Sequence, residues 1–173
     1  MLAALLRDAV DDNASVGYLQ PLAASVADAY WGDIEADVAV GSRHVLAAYV
    51  GPDLVGSVQW APCGKPNQPH RADVQKLLVL RSARGLGVAS ALMRALENDA
   101  LHAGRVLLVL DTRTGSTADQ CYRHWGWMDA GTIPDYALDP DRTPAACTFF
   151  YKRLDTTGAH CDEYARTGSR TDG

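Results

Sequence analysis

The sequence predicts an α+β (mixed α/β) fold: a central mixed β-sheet with antiparallel N-terminal strands, a parallel β-loop-α-β core and flanking helices. Residues 73–112 contain two apolar runs of strand length, separated by a loop and a segment with apolar residues at helical spacing. Strands joined by a helical crossover are parallel. Upstream, two strand-like runs at 44–50 and 54–60 flank the turn-forming tripeptide Gly51-Pro52-Asp53, which predicts an antiparallel hairpin.

The remaining elements follow from periodicity and from turn residues. Helices are predicted at 2–10, at 24–40 before Gly41, and at 88–103, and an extended link at 15–20 joins the first two. Ser116-Thr117-Ala118-Asp119 has the form of a capping box, so a further helix is expected from Ser116 to about Gly126. Strands at 127–133 and 148–154 enclose a loop with three prolines and are expected to form a closing hairpin.

Length and composition indicate one domain. The chain has 173 residues, of which 47% are hydrophobic, enough to bury a core. We expect the domain to span residues 1–154 and the polar segment 155–173 to be a disordered tail. The net charge of −5 argues against a nucleic acid or an anionic membrane surface as partner.

The cysteines indicate a reducing compartment and no metal. Cys63, Cys121, Cys147 and Cys161 are scattered, without the spacing of metal ligands or of a disulfide framework. The short apolar run at the N-terminus is followed at once by charged residues, which suits neither a signal peptide nor a membrane span. We therefore expect a cytoplasmic protein with reduced thiols.

The loop of the parallel unit is the first candidate for chemistry. Arg84, Gly85, Leu86, Gly87, Val88 and Ala89 lead directly into the predicted helix. The first amides of a helix lack intrahelical partners and carry the positive end of the helix dipole, so they favour a phosphate. Two other interpretations stay open: a tight turn without a ligand, and a dinucleotide-binding fingerprint that ends at Asp111. Against the fingerprint, arginines separate the strand from the glycines, and Ser90 occupies the third glycine position.

Arg84-x-x-Gly87-x-Ala89 matches the Arg/Gln-x-x-Gly-x-Gly/Ala signature of the GNAT superfamily of N-acetyltransferases. The order of predicted elements resembles that fold from about residue 2 to residue 154. The phrases at 14–18, 70–77, 110–112 and 133–136 resemble the tabtoxin-resistance type of this superfamily. The resemblance implies that acetyl-CoA donates an acetyl group to a primary amine of a small molecule by direct attack in a ternary complex.

The resemblance also assigns the cofactor-binding residues. In the superfamily the loop amides, here those of residues 84–89, hold the pyrophosphate of coenzyme A. Backbone groups at the positions of Leu77 and Val79 pair with the pantetheine arm, in the manner of an added strand.

Acetyl transfer also needs a base for the amine and a proton for the departing thiolate. An alkyl amine has a pKa of about 10.4, so a carboxylate must remove its proton near neutral pH, and Asp73 and Asp111 are both candidates. Tyr122 matches the superfamily's Ala-x-x-x-Tyr spacing and is the candidate proton donor. Tyr136 lies in the proline-rich segment that we expect to form a loop over the substrate.

The sequence departs from the superfamily pattern at several positions. Asp73 replaces the usual glutamate of the tabtoxin-resistance type, and Gly115 stands where many members have asparagine. The first edge strand of the fold is apparently lacking, which would leave the strand at 44–50 as an exposed edge and favour a homodimer. These departures keep a second class of function open, an acyl-CoA-binding sensor without turnover, and the dinucleotide-binding enzyme is a third.

Overall fold

The structure is a computed structural model that describes residues 1–154, so the tail predicted at 155–173 lies outside the described residues. The described chain contains four α-helices and six strands, in this order: α1 (Leu2–Asp11), α2 (Ala24–Ala39), β1 (His44–Val50), β2 (Asp53–Pro62), β3 (Arg71–Val79), α3 (Val88–His102), β4 (Leu107–Arg113), α4 (Thr117–His124), β5 (Met128–Leu138) and β6 (Pro144–Arg153). A short 3-10 helix at Arg81–Ala83 links β3 to the loop before α3. The predicted order of elements is confirmed.

The six strands form one mixed sheet in the order β1-β2-β3-β4-β6-β5. Strands β3 and β4 pair in parallel around the α3 crossover, and the other neighbours pair antiparallel. The predicted fold class is therefore confirmed, including the antiparallel hairpin β1–β2 and the parallel β3-α3-β4 core. Strand β1 forms one edge of the sheet in the described residues.

Apolar side chains cover both faces of the sheet. On one face α3 packs Leu92, Met93 and Leu96 against residues of β2, β3, β4 and β6. On the other face α1 and α2 bury a second cluster that includes Leu5, Val10 and Leu78. Because helices protect both faces, the central strands can carry consecutive apolar residues, as 77–79 of β3 and 107–110 of β4 do.

Strands β3 and β4 are paired over only part of their length. The parallel register joins Arg71–Asp73 of β3 to Leu107–Val109 of β4 and then stops. Both strands continue, because β3 stays paired to β2 as far as Val79, and β4 to β6 as far as Arg113. The inner edges of the two strands therefore diverge and form a V-shaped opening in the middle of the sheet.

The closing hairpin differs from the prediction. Strand β5 extends to Leu138 and β6 begins at Pro144, so Pro134 and Tyr136 lie within a strand and the connecting turn is short. The predicted proline-rich loop over 134–147 was therefore too long, because only residues 139–143 connect the two strands. The strand tolerates Pro134 because β5 is an edge strand whose register shifts between Ile133 and Ala137.

Gly56 fixes the position of α3 over the sheet. A Cβ at this position of β2 would lie 3.0 Å from the Leu78 carbonyl oxygen, 3.0 Å from Leu92 Cδ1 and 3.0 Å from Val88 Cγ1. Val88 is the first residue of α3. The missing side chain therefore allows the first turn of α3 to pack closely on the sheet.

We predict that Gly56→Ala lowers the free energy of unfolding by about 1–3 kcal/mol, because overpacking displaces α3 or the β3 backbone. Urea denaturation monitored by circular dichroism measures the change. Gly64→Ala is the matched control, because a Cβ at Gly64 meets no atom within 4 Å. Equal stability of the two variants would show that Gly56 does not set the position of α3.

Candidate active site

The V-shaped opening continues into a cleft of about 750 Å³. The cleft runs from the start of α3 along the inner edges of β3 and β4. The end of α1 and the link to α2 form one wall, and the start of α4 forms the other. Its volume lies within the range of about 300–1,000 Å³ that is typical of small-molecule sites.

The glycine loop forms one end of this cleft. Gly85 and Gly87 have φ angles of +79° and +78°, which favour glycine, and Gly87 is the N-cap of α3. The first bond inside the helix runs from the amide of Ala91 to the carbonyl of Gly87, so the amides of residues 88–90 have no acceptor within the helix. A Cβ at Gly85 or Gly87 would meet no atom within 4 Å. The loop thus presents free amides to an open space.

Most residues predicted for the cofactor lie in the cleft wall. These are Leu77, Val79, Arg84, Gly85, Gly87, Val88 and Ala89. The side chain of Leu86 is the exception, because Leu86 is 69% exposed and is not part of the wall. Leu77 and Val79 lie on β3 beyond the point where its pairing with β4 ends, so backbone groups on that inner edge are available to a ligand.

Two acidic residues at the end of α1 form ion pairs with arginines near the glycine loop. Asp8 belongs to α1, and Asp12 is its C-terminal cap. Asp12 lies 2.5 Å from Arg84 Nη1, and Asp8 lies 2.8 Å from Arg81 Nε. Asp12 also lines the cleft. The sequence analysis missed these ion pairs because they join segments more than seventy residues apart. A phosphate bound at the loop would compete with Asp12 for Arg84.

Asp111 lies in the cleft wall toward the end of β4. Although part of the residue is open to solvent, the surrounding walls partly desolvate the carboxylate, and this burial raises its pKa above the ordinary value. The ammonium of Lys76 acts in the opposite direction and favours the charged carboxylate. Asp111 therefore presents to the cleft a carboxylate that is more basic than an ordinary aspartate.

The structure does not bring Asp73 into the cleft. Asp73 is the last β3 residue that pairs with β4, and its carboxylate lies 3.4 Å from Arg71 Nη2. It is not among the residues that line the cleft. Because Asp73 precedes the divergence of the strands while Asp111 follows it, the two predicted carboxylates do not share the site.

Tyr122 faces the cleft from α4. The predicted helix start is confirmed: Ser116 Oγ accepts a hydrogen bond from the amide of Asp119 at 3.1 Å, and the Asp119 carboxylate accepts one from the amide of Gly115 at 3.0 Å. The Tyr122 ring packs edge-on against Trp125 and Trp127, and the residue is only 6% exposed. Burial, with smaller contributions from Cys121 and Asp111, raises the pKa of Tyr122 strongly, so its hydroxyl stays protonated.

Tyr136 lies away from the cleft, contrary to the expectation of a loop that closes over the substrate. It belongs to edge strand β5, is 50% exposed and packs edge-on against Phe149 at 5.1 Å between ring centroids. It is not part of the cleft wall. The expectation depended on the proline-rich loop, which is largely absent because β5 and β6 extend through it.

The sequence analysis missed Lys76, the lysine of the cleft wall. Its φ of +51° coincides with the register shift between β2 and β3, so Lys76 lies in a bulge of β3. Its Nζ lies 5.8 Å and 5.6 Å from the ring centroids of Tyr18 and Tyr30, which places the ammonium within cation–π distance of two aromatic faces. A charged residue within the apolar run of β3 was the signal that could have identified it.

The charge of Lys76 is destabilised by its surroundings. Burial lowers its pKa, the guanidinium of Arg43 lowers it further, and the carboxylate of Asp111 opposes both effects. Lys76 is not among the residues of 1–154 that form salt bridges. Burial and Arg43 therefore favour the neutral amine of Lys76, whereas Asp111 and the faces of Tyr18 and Tyr30 favour its ammonium form.

The part of the chain that the structure describes offers neither a metal centre nor a membrane span. No group of three or more His, Cys, Asp or Glu residues within 1–154 is arranged to hold a metal ion. Within the same range no helix is both long and apolar enough to cross a bilayer.

Comparison with known proteins gives a family match and a consistent fold. Residues 6–127 match the model of the acetyltransferase (GNAT) family. Among solved structures, a ribosomal-protein-alanine N-acetyltransferase from Brucella melitensis is 22% identical, with a TM-score of 0.75 over 88% of this chain and 92% of that chain. An N-acetyltransferase from Staphylococcus aureus is 18% identical, with a TM-score of 0.73 over 88% of this chain and 90% of that chain.

A third structure carries a ligand. The yncA protein of Salmonella typhimurium, solved with its cofactor acetyl-CoA, is 15% identical and has a TM-score of 0.73 over 88% of this chain and 86% of that chain. At these identities the structural likeness concerns the fold alone.

We predict that Lys76 titrates below the ordinary lysine pKa of about 10.4, because burial and Arg43 disfavour its charge. Asp111→Asn should lower the pKa of Lys76 further, since it removes the favourable carboxylate. NMR of the reductively methylated protein measures both effects on three lysines, Lys65, Lys76 and Lys152. Asp53→Asn, at the far end of β2, is the control with the same charge change. An equal response of Lys76 to both variants would refute the Lys76–Asp111 interaction.

Proposed function

Because the chain belongs to the acetyltransferase (GNAT) family, we propose that it transfers an acetyl group from acetyl-CoA to a primary amine of a small molecule, by direct attack within a ternary complex. Family membership supports an acetyltransferase with acetyl-CoA as its donor, and the acceptor and the mechanism are inferred from the cleft. One observation supports the proposal most strongly: a single cleft joins the free amides of α3 to the diverging edges of β3 and β4.

The donor would lie along the length of this cleft. The amides at the start of α3 and the positive end of its dipole would bind the pyrophosphate, with Arg84 nearby. The pantetheine arm carries amide groups that can pair with the inner edge of β3 near Leu77 and Val79, as an added strand would. The thioester would then reach the opening between β3 and β4, where Asp111 and Tyr122 both face the cleft.

Asp111 would prepare the acceptor for attack. An alkyl amine with a pKa of about 10.4 is mostly protonated near neutral pH, so a base must remove a proton before its lone pair can reach the thioester. Burial raises the pKa of Asp111 and strengthens it as a base, whereas Lys76 keeps enough of it ionised to accept the proton. Asp73 lies outside the cleft wall and is the less favoured candidate.

Tyr122 would complete the reaction. Attack by the amine forms a C–N bond and breaks the C–S bond, and the thiolate that departs has a pKa of about 8.5, close to that of cysteine. The phenol of Tyr122 stays protonated at neutral pH because burial raises its pKa. Its hydroxyl can therefore hydrogen-bond the departing thiolate; because the raised pKa weakens it as an acid, a proton passed to sulfur would be replaced by the one that the amine gives up.

The competing interpretations are less well supported. Dinucleotide-binding sheets are built from several parallel strands, whereas in the described residues only β3 and β4 pair in parallel. The tabtoxin-resistance type and a cytoplasmic location remain proposals that depend on sequence features. The sensor without turnover gains support from Gly115, which places no polar side chain in the cleft.

We predict that Asp12→Asn increases the affinity for CoA by about 2- to 5-fold, because the substitution frees Arg84 and removes a negative charge beside the phosphates. Isothermal titration calorimetry at low salt measures the change. Asp28→Asn alters the net charge equally on the exposed side of α2 and should leave the affinity unchanged. Weaker binding to the Asp12 variant would contradict a phosphate site at Arg84.

A panel of amines incubated with acetyl-CoA, with release of free thiol as the readout, tests the activity. On any amine that is acetylated, Tyr122→Phe should reduce kcat by about 10²-fold while CoA affinity barely changes, because only the hydroxyl is lost. Tyr49→Phe on β1 is the control, since Tyr49 is exposed and lies outside the cleft wall. Tight CoA binding without acetylation of any amine would favour the sensor.

The two aspartates can be separated by their pH profiles. Asp111→Asn should reduce turnover most at pH values where the amine is protonated, and higher pH should recover part of the loss because the amine then deprotonates in solution. In the wild type, activity should rise with pH through the raised pKa of Asp111, since the base acts only when ionised. Asp73→Asn should leave the shape of the profile unchanged, and the opposite pattern would make Asp73 the base.

A further inference from the structure

Lys76 is placed where the acceptor amine of the proposed reaction must arrive. It lines the cleft directly before Leu77 on β3, and Asp111 lines the same cleft from β4, beyond the point where the two strands stop pairing. The link between α1 and α2 closes over it, because a Cβ at Gly17 would lie 3.5 Å from Lys76 Nζ. Tyr18 and Tyr30 hold the ammonium from the same side.

The other two lysines provide a comparison within the same chain. Lys65 lies in the loop between β2 and β3 and is exposed. Lys152 is 2.8 Å from both carboxylate oxygens of Glu97, and it donates to the carbonyl of Trp125 at 3.0 Å. Lys76 therefore differs from both: it lines the cleft, and no ion pair within residues 1–154 holds its charge.

We propose that Lys76 is itself an acceptor, so that the protein acetylates its own Lys76 when acetyl-CoA is bound and no free amine occupies the cleft. This inference rests on the proposed function, since it requires the thioester to lie at the opening between β3 and β4. An amine tethered beside the thioester reacts at a high effective concentration, which compensates for imperfect alignment.

The reaction uses only groups that the cleft supplies. The neutral Nζ attacks the carbonyl carbon of the thioester, a C–N bond forms, and the C–S bond breaks with its electron pair on sulfur. The amine loses a proton to Asp111 or to water, and the thiolate gains one from Tyr122. The products are an N-acetylated Lys76 and free CoA. The lowered pKa of Lys76 increases the fraction of its neutral form.

Self-acetylation would alter the site in two ways. It removes the positive charge that favours the ionised form of Asp111, so the pKa of that carboxyl would rise further. It also adds an acetyl group at the end of the cleft that the acceptor must enter. The acetylated protein should therefore turn over external amines more slowly than the unmodified protein.

The test uses the full-length protein and acetyl-CoA in an amine-free buffer, followed by proteolysis and mass spectrometry of the three lysine-containing regions. Lys76 should be acetylated at least about 10-fold faster than Lys65, at a first-order rate independent of protein concentration, because donor and acceptor share one cleft. Added CoA should slow acetylation of Lys76 and leave Lys65 unaffected, since it blocks only the cleft. Equal rates at the two lysines, or no protection by CoA, would overturn the proposal.

Variants and a parallel assay complete the test. Lys65→Arg should leave the fast acetylation intact, whereas Lys76→Arg should abolish it while keeping the positive charge. The amine panel then separates the two proposals. Acetylation of external amines without modification of Lys76 would refute self-acetylation alone, and modification of Lys76 without turnover of any amine would refute the small-molecule acceptor alone.

Discussion

Pairing between β3 and β4 stops after Asp73 and Val109, although both strands continue. Strand β3 stays paired with β2, and β4 stays paired with β6. The inner edges of β3 and β4 can therefore diverge while each strand remains part of the sheet. Unpaired backbone groups are costly when they are buried, and a ligand with its own amides can satisfy them. Helix α3 lies beside this opening. Gly56 of β2 has no side chain, so the first turn of α3 can pack directly on the sheet.

Electrostatic interactions in the opening involve few groups. Burial favours the neutral forms of both Asp111 and Lys76. The positive charge of Lys76 favours the ionised form of Asp111, and the negative charge of Asp111 favours the ionised form of Lys76. Tyr122, buried among Trp125, Trp127 and Phe150, stays protonated. The cleft thus combines a carboxyl group with a raised pKa, a phenol that stays protonated, and an amine whose pKa is lowered by burial. At the glycine loop, by contrast, Asp8 and Asp12 already neutralise Arg81 and Arg84.

The sequence predicted the parts of the fold that depend on local patterns. Periodicity located α3, β3 and β4, the capping pattern at Ser116 located α4, and the glycine motif located the loop at the start of α3 that lines the cleft. The closing hairpin was mispredicted because prolines normally interrupt strands, and the exception for an edge strand cannot be recognised before the strand order is known.

The site was predicted only in part for a similar reason. Asp73 and Asp111 both lie in apolar strand segments, and only the point at which pairing stops separates them. Lys76 lines the cleft from a bulge of β3, and the bulge has no local signature. The ion pairs of α1 with the glycine loop join distant segments of the chain.

A single ligand that occupies both the amides of α3 and the diverging edge of β3 must perturb both sets of backbone groups. Backbone amide NMR of the protein titrated with acetyl-CoA measures this, because it reports on each amide separately. We expect the amides of residues 85–90 and 77–79 to shift together, with the same dissociation constant, while the amides of β1 and β5 stay unchanged. Shifts at the glycine loop alone, or at a surface outside the cleft, would contradict binding of one ligand along the cleft.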